Sequence, residues 1–157
     1  MFSLFKNTHS PITRFTPVNT GFKAEPLSWG DGIICQVKDF CGYPENATKE
    51  QHEEVYAQLR KLSRSLSSFK EACELYIGGA YFGEERMVKR ATKFLTAYLD
   101  SQLKLTDAEL ELLLDCINIG ERMAVNGAWL REYVARILPL TDNEQIHDYA
   151  RRLYING

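Results

Sequence analysis

The chain has 157 residues, of which 45% are hydrophobic and 25% are charged. These proportions are typical of a single soluble globular domain and exclude a wholly disordered chain. Its 19 basic and 21 acidic residues give a net charge of −2, which excludes a global positive field that would attract nucleic acid or an anionic membrane.

Residues 1–46 contain four of the five prolines of the chain. They predict an extended, irregular N-terminal arm that packs on the body of the protein. The run 33–40 has the β-branched content of a strand and predicts one short strand or hairpin within this arm. The first residues lack the apolar core of a secretory signal, and no apolar run is long enough to span a membrane. We therefore expect a cytoplasmic protein.

Residues 47–157 carry four helix-start signatures, in which a hydroxyl residue is followed three positions later by an acid or amide. These are Thr48-x-x-Gln51, Ser68-x-x-Glu71, Thr106-x-x-Glu109 and Thr141-x-x-Glu144. Apolar residues at helical spacing follow each signature. The sequence therefore predicts an all-α fold: a compact bundle of five to six helices, forming a single domain with the arm.

The expected helices follow one another through short loops. The first spans Thr48–Leu66, the second begins at Ser68 and ends at Gly78-Gly79, the third spans Glu84–Ser101, and the fourth spans Thr106–Ile119. The fifth ends at Pro139, and Asn126-Gly127 kinks it, splits it or lets a neighbour come close. The last begins at Thr141. Because the fourth helix is apolar on nearly every side, it is expected at the centre of the bundle. Cys73 and Cys116 lie on apolar helical faces and are expected in the core.

Tyr81 and Phe82 are the first candidates for a binding site, because they lie in the expected turn between the second and third helices, next to Gly83. Aromatic side chains on a glycine-flanked turn suit a contact surface for a partner protein. Packing in the core is the competing interpretation, and the sequence leaves both open.

Two groups of acidic residues are also candidates for partner binding. The group near the start of the first helix comprises Glu50, Glu53 and Glu54. Acids at this position also complement the helix dipole. Glu111 and Asp115 form the polar edge of the otherwise apolar fourth helix. That edge fits a negative surface for a basic partner, an exposed edge, or a buried ion pair with Arg122 or Arg131.

The third helix carries basic residues at positions i, i+3, i+4 and i+7. These are Arg86, Lys89, Arg90 and Lys93. Such a stripe can follow a phosphate backbone and is the candidate nucleic-acid-binding site. It equally fits a solvated helix face, because no aromatic residues interleave with it.

Histidine patterns give no complete metal site. His52-Glu53 begins like a zinc-protease helix, but Tyr56 occupies the position of the second histidine. Glu144-x-x-His147 has the spacing of a di-iron ligand pair, but no second pair exists. The remaining metal hypothesis is a structural zinc bound by Cys35, Cys41, His9 and His52, which lacks any Cys-x-x-Cys spacing. We therefore expect no metal and no cofactor.

No catalytic constellation is recognisable, so the sequence favours a binding protein over an enzyme. The leading hypothesis is a small cytoplasmic protein-binding module, namely an immunity- or antitoxin-type inhibitor that occludes a partner toxin such as a nuclease. The alternative is a nucleic-acid-associated or regulatory helical protein that uses the basic stripe. No membrane partner is expected, and the sequence does not decide between a monomer and a dimer.

Overall fold

The computed structural model of the protein describes residues 32–42, 47–102 and 104–155. These residues form seven α-helices and one short 3-10 turn, and they contain no β-strand. The helices are α1 (Ile33–Gly42), α2 (Lys49–Arg64), α3 (Phe69–Phe82), α4 (Glu85–Asp100), α5 (Asp107–Arg122), α6 (Ala128–Ile137) and α7 (Glu144–Arg152). The predicted all-α bundle is confirmed. Most of the predicted N-terminal arm lies outside the described residues.

The prediction of a strand or hairpin at 33–40 is wrong, because these residues form helix α1. Ile33, Ile34, Val37 and Phe40 are all buried, and their positions i, i+1, i+4 and i+7 follow a helical period. A strand would instead bury alternate residues. The apolar stripe of α1 packs into the core of the bundle, so packing overrides the β propensity of the two isoleucines.

Helix α5 lies at the centre of the bundle, as its composition predicts. Every residue from Ala108 to Ile117 is buried, as are Ile119 and Gly120. Helices α3, α6 and α7 pack on it. A helix that is surrounded on all sides must bury its polar residues along with its apolar ones, and in α5 these include Glu109, Glu111 and Asp115.

The prediction that Gly78-Gly79 ends a helix is wrong, because α3 continues to Phe82 and is capped by the left-handed Gly83, with φ of 70°. The two glycines allow neighbouring helices to approach α3 closely. A Cβ built on Gly78 would lie only 2.5 Å from Cδ1 of Leu59 in α2, and one on Gly79 would lie 3.0 Å from Cβ of Met87 in α4. Helix α3 is therefore held between α2 and α4.

Two of the predicted capping boxes are confirmed, since Thr48 and Thr106 each exchange hydrogen bonds with the residue three positions later. The box predicted at Thr141 is wrong. Asn143 caps α7 instead by accepting from Gln145 N and Ile146 N, while the Thr141 hydroxyl donates to Asp107 Oδ1. The Thr141 hydroxyl also accepts from Asn143 N, so it orders the turn that precedes α7 while Asn143 caps the helix itself.

Candidate functional site

The predicted aromatic pair meets the predicted acidic group of the first helix at one end of the α2–α3 pair. His52 contacts Tyr81 and Leu59 contacts Gly78, so α2 and α3 run antiparallel, with the start of α2 beside the end of α3. A surface cavity of about 320 Å³ opens there. Its lining residues are His52, Glu53, Tyr56, Ala57, Arg60 and Phe82.

Aromatic rings form the wall of this cavity. The His52 ring stacks on Tyr81 with 5.6 Å between centroids, and its Nε2 lies 2.7 Å from the Tyr81 hydroxyl. Phe82 presents its ring edgewise to His52 and Tyr56, at 6.1 and 5.3 Å. Phe40 of α1 packs against His52 from the inner side, with 4.6 Å between ring centroids. His52 therefore lies among three aromatic rings, those of Phe40, Tyr81 and Phe82, and is partly buried.

Tyr56 connects the cavity to the start of α4. Its hydroxyl donates a hydrogen bond of 2.5 Å to Glu84 Oε2, and Glu84 is the residue that precedes α4. This hydrogen bond, followed by burial, raises the pKa of Tyr56 above its ordinary value. Burial likewise raises the pKa of Tyr81. Both phenols therefore remain neutral near pH 7 and act as hydrogen-bonding and packing groups at the cavity.

The charges around the cavity change sign along α2. Glu50, Glu53 and Glu54 are all exposed, and Glu53 lines the cavity and lies 4.0 Å from Lys49. Arg60, which is also exposed and lies almost two turns after Glu53 on α2, lines the cavity as well. An apolar or aromatic side chain could therefore enter between the rings while basic groups beside it meet the three carboxylates.

The expected surface position of Glu111 and Asp115 is wrong, because each is only 1% exposed. The Lys38 ammonium lies 2.8 Å from Asp115 Oδ2, and the Tyr149 hydroxyl donates to Oδ1 at 2.6 Å. Burial, assisted by the negative charge of Asp115 and opposed by Lys38, raises the pKa of Glu111 to about 9. These acids belong to an internal polar cluster that connects α1, α5 and α7.

The suggestion of a buried ion pair is correct for Asp115, but both expected partners are wrong. Arg131 pairs instead with Glu121 through two hydrogen bonds of 2.6 Å, and Arg122 is exposed. The strand predicted at 33–40 does not identify Lys38 as the partner of Asp115, whereas helix α1 does. The helical period of α1 places Lys38 next to the buried Val37 and one turn after Ile34, and this signal would have identified an inward-reaching lysine.

The predicted basic stripe lies on the exposed face of α4. Arg86, Lys89, Arg90 and Lys93 are all exposed. Lys89 pairs with Glu85, at 3.5 Å, and Arg90 donates to the carbonyl oxygen of Ser63 in α2, at 2.8 Å.

Potential metal ligands do not gather within the part of the chain that the structure describes, where no three His, Cys, Asp or Glu side chains form a group suited to an ion. His9, one ligand of the hypothetical zinc site, lies outside that part. His147 Nε2 lies 2.8 Å from the carbonyl oxygen of Thr141. Cys73 and Cys116 are buried, which confirms their expected place in the core.

None of the helices described here combines the length and the apolar character needed to cross a bilayer. Comparisons of the chain with protein-family models, with curated proteins and with solved structures found no match.

Proposed function

We propose that the protein is a small binding module that docks on a partner protein through its α2–α3 surface, meaning the six cavity-lining residues together with Glu50, Glu54 and Tyr81. The observation that carries this proposal is the aromatic-walled cavity of about 320 Å³ beside three exposed carboxylates. Aromatic side chains in a concave site bordered by charges are typical of the energetic centre of a protein interface.

The side chains of this surface are held in place before any partner arrives. His52 is fixed by Tyr81 and Phe40, and Tyr56 is fixed by Glu84. A site whose side chains are already ordered loses less conformational entropy on binding, so more of the contact energy contributes to affinity.

The carboxylates at the start of α2 favour a partner with a basic surface. A toxin whose basic groove binds nucleic acid would present such a surface, and covering that groove would inhibit it. We therefore propose an immunity- or antitoxin-type role, in the cytoplasm, with a nuclease as the leading candidate for the partner. In this role the protein catalyses no reaction of its own.

Site-specific photocrosslinking in the native host tests the site. A benzophenone amino acid replaces either Ala57, which is exposed and lines the cavity, or Thr96, which is exposed on α4. The proposal expects one protein to crosslink at position 57 and not at position 96. Equal labelling at both positions, or no labelling at 57, would refute the proposed site.

Charge reversal on the purified pair then tests the charge argument. Glu50→Lys/Glu53→Lys should weaken the complex at least tenfold, mainly through slower association. The matched control is Glu132→Lys/Asp142→Lys, which makes the same change of net charge at exposed positions on α6 and just before α7. An equal effect of both double variants would show that only net charge matters, and would contradict docking at α2.

A further inference from the structure

The two longest acid-free segments of the described chain both contain several basic residues. Residues 55–70 lie between Glu54 and Glu71, and residues 86–99 lie between Glu85 and Asp100. The first segment covers the last part of α2, and the second covers most of α4. Although the whole chain is slightly acidic, each of these segments is therefore locally positive.

The fold aligns the two segments in the same direction, with side chains that bridge from one to the other. Tyr56 of α2 bonds to Glu84, and Ser63 of α2 accepts from Arg90 of α4. The two contacts lie seven residues apart on α2, from Tyr56 to Ser63, and six residues apart from Glu84 to Arg90. These separations correspond to about 10 and 9 Å of helix rise. Helices α2 and α4 therefore run parallel to each other, each packed on α3 and bridged by these long side chains, and their acid-free segments are in register.

Both rows of basic side chains are exposed along this seam. On α2, Arg60 and Arg64 are one turn apart and exposed, and the charge of Arg60 acts on Tyr56, which bonds across the seam. On α4, Arg86, Arg90 and Lys93 recur at i, i+4 and i+7 and are exposed. We call these five residues the basic seam. It joins three of the four residues of the stripe predicted on α4, without Lys89, to a second row on α2. Only the tertiary structure brings the two rows together.

We propose that the basic seam binds the phosphate backbone of a nucleic acid duplex without reading its sequence. Four of its five residues are arginines, whose planar groups match phosphate oxygens. The row from Arg86 to Lys93 rises about 10 Å, a length that passes about three phosphates of one strand. No aromatic side chain interleaves with the row on α4, so the surface suits a paired backbone better than unstacked bases.

Fluorescence anisotropy with a labelled DNA duplex of about twenty base pairs tests this surface, with an RNA duplex as a second probe. We expect binding at about 50 mM salt that weakens steeply towards about 200 mM. Arg60→Glu/Arg64→Glu and Arg86→Glu/Lys93→Glu should each raise Kd at least tenfold and reduce the slope of log Kd against log salt by about 2. The loss of affinity expected for Arg60→Glu/Arg64→Glu distinguishes a surface formed by both helices from a stripe on α4 alone.

The matched control is Lys49→Glu/Lys104→Glu, which reverses two exposed lysines outside the seam and should change Kd less than threefold. Thermal melting of each variant establishes that it is folded. The proposal is refuted if neither duplex binds at low salt, if the control loses as much affinity as the seam variants, or if the α2 pair has no effect. If polyglutamate displaces the labelled duplex as effectively as unlabelled duplex does, the partner is an acidic protein and the proposal is refuted.

Discussion

Replacement of Gly78 by alanine tests the close approach of α2 to α3. In an isolated helix this change is favourable by about 1 kcal/mol, because alanine is the better helix former. Here a Cβ would lie 2.5 Å from Cδ1 and 3.0 Å from Cγ of Leu59. Leu59 is fully buried, so its side chain has no open space into which it can turn.

Relief of this overlap requires a shift of α2 by roughly 1 Å, since ordinary carbon contacts lie near 3.5–4.0 Å. Overpacking of this kind costs about 1–3 kcal/mol. After subtraction of the gain in helix propensity, we expect Gly78→Ala to lower the free energy of unfolding by up to about 2 kcal/mol. The melting temperature should fall by several degrees, on the order of 2–4 °C per kcal/mol for a chain of this size.

The assay is urea unfolding followed by far-ultraviolet circular dichroism, in a double-mutant cycle with Leu59→Ala. In the Leu59→Ala background the obstructing carbons are absent, so Gly78→Ala should become stabilising by about 0.5–1 kcal/mol. The sign of the effect therefore reverses between the two backgrounds. Stabilisation by Gly78→Ala in the wild-type background would refute the close packing of α2 on α3.

Three further predictions concern the buried acids and the cap of α7. Lys38→Met leaves the buried Asp115 without its ammonium partner and should destabilise the protein by about 3 kcal/mol, whereas Lys38→Met/Asp115→Asn should recover part of this loss in the same urea assay. The pKa of Glu111 is raised to about 9 in the folded protein. Between about pH 4.5 and 9 its carboxyl group therefore stays protonated in the folded protein but ionises in the unfolded chain, and this favours unfolding. Stability should therefore fall between about pH 4.5 and 9, by at most about 1.4 kcal/mol per pH unit, and Glu111→Gln should flatten this dependence; an unchanged profile would contradict the burial of Glu111. Asn143→Ala should cost about 1 kcal/mol through loss of the α7 cap, and an effect below about 0.3 kcal/mol would argue against that cap.

Local sequence signals predicted those parts of the fold that depend on neighbouring residues. The caps at Thr48 and Thr106 and the central position of α5 follow from short-range pattern and composition. The strand predicted at 33–40 is wrong because the helical period of the buried apolar positions decides the structure there, against the β propensity of single residues. The glycine pair at 78–79 was misread because an isolated sequence cannot tell a helix end from a place where another helix packs closely.

The candidate site was predicted only in part, for the same reason. Tyr81 and Phe82 were identified from their glycine-flanked position, but their assembly with His52 and Phe40 depends on helix packing. The inward position of Asp115 was missed because its partners come from α1 and α7, at opposite ends of the described chain. Residues far apart in sequence leave no local pattern that connects them.

The affinity of the purified partner protein for the Phe82→Ala variant, measured by calorimetry, tests the proposed docking site most directly. Phe82 lines the cavity and contacts His52 and Tyr56, so its loss should weaken binding at least tenfold. The control is Leu140→Ala, which truncates an apolar side chain that is 68% exposed away from the cavity. Docking at the α2–α3 surface predicts that this control keeps wild-type affinity. A folded Phe82→Ala variant that binds the partner as tightly as the wild type would contradict it.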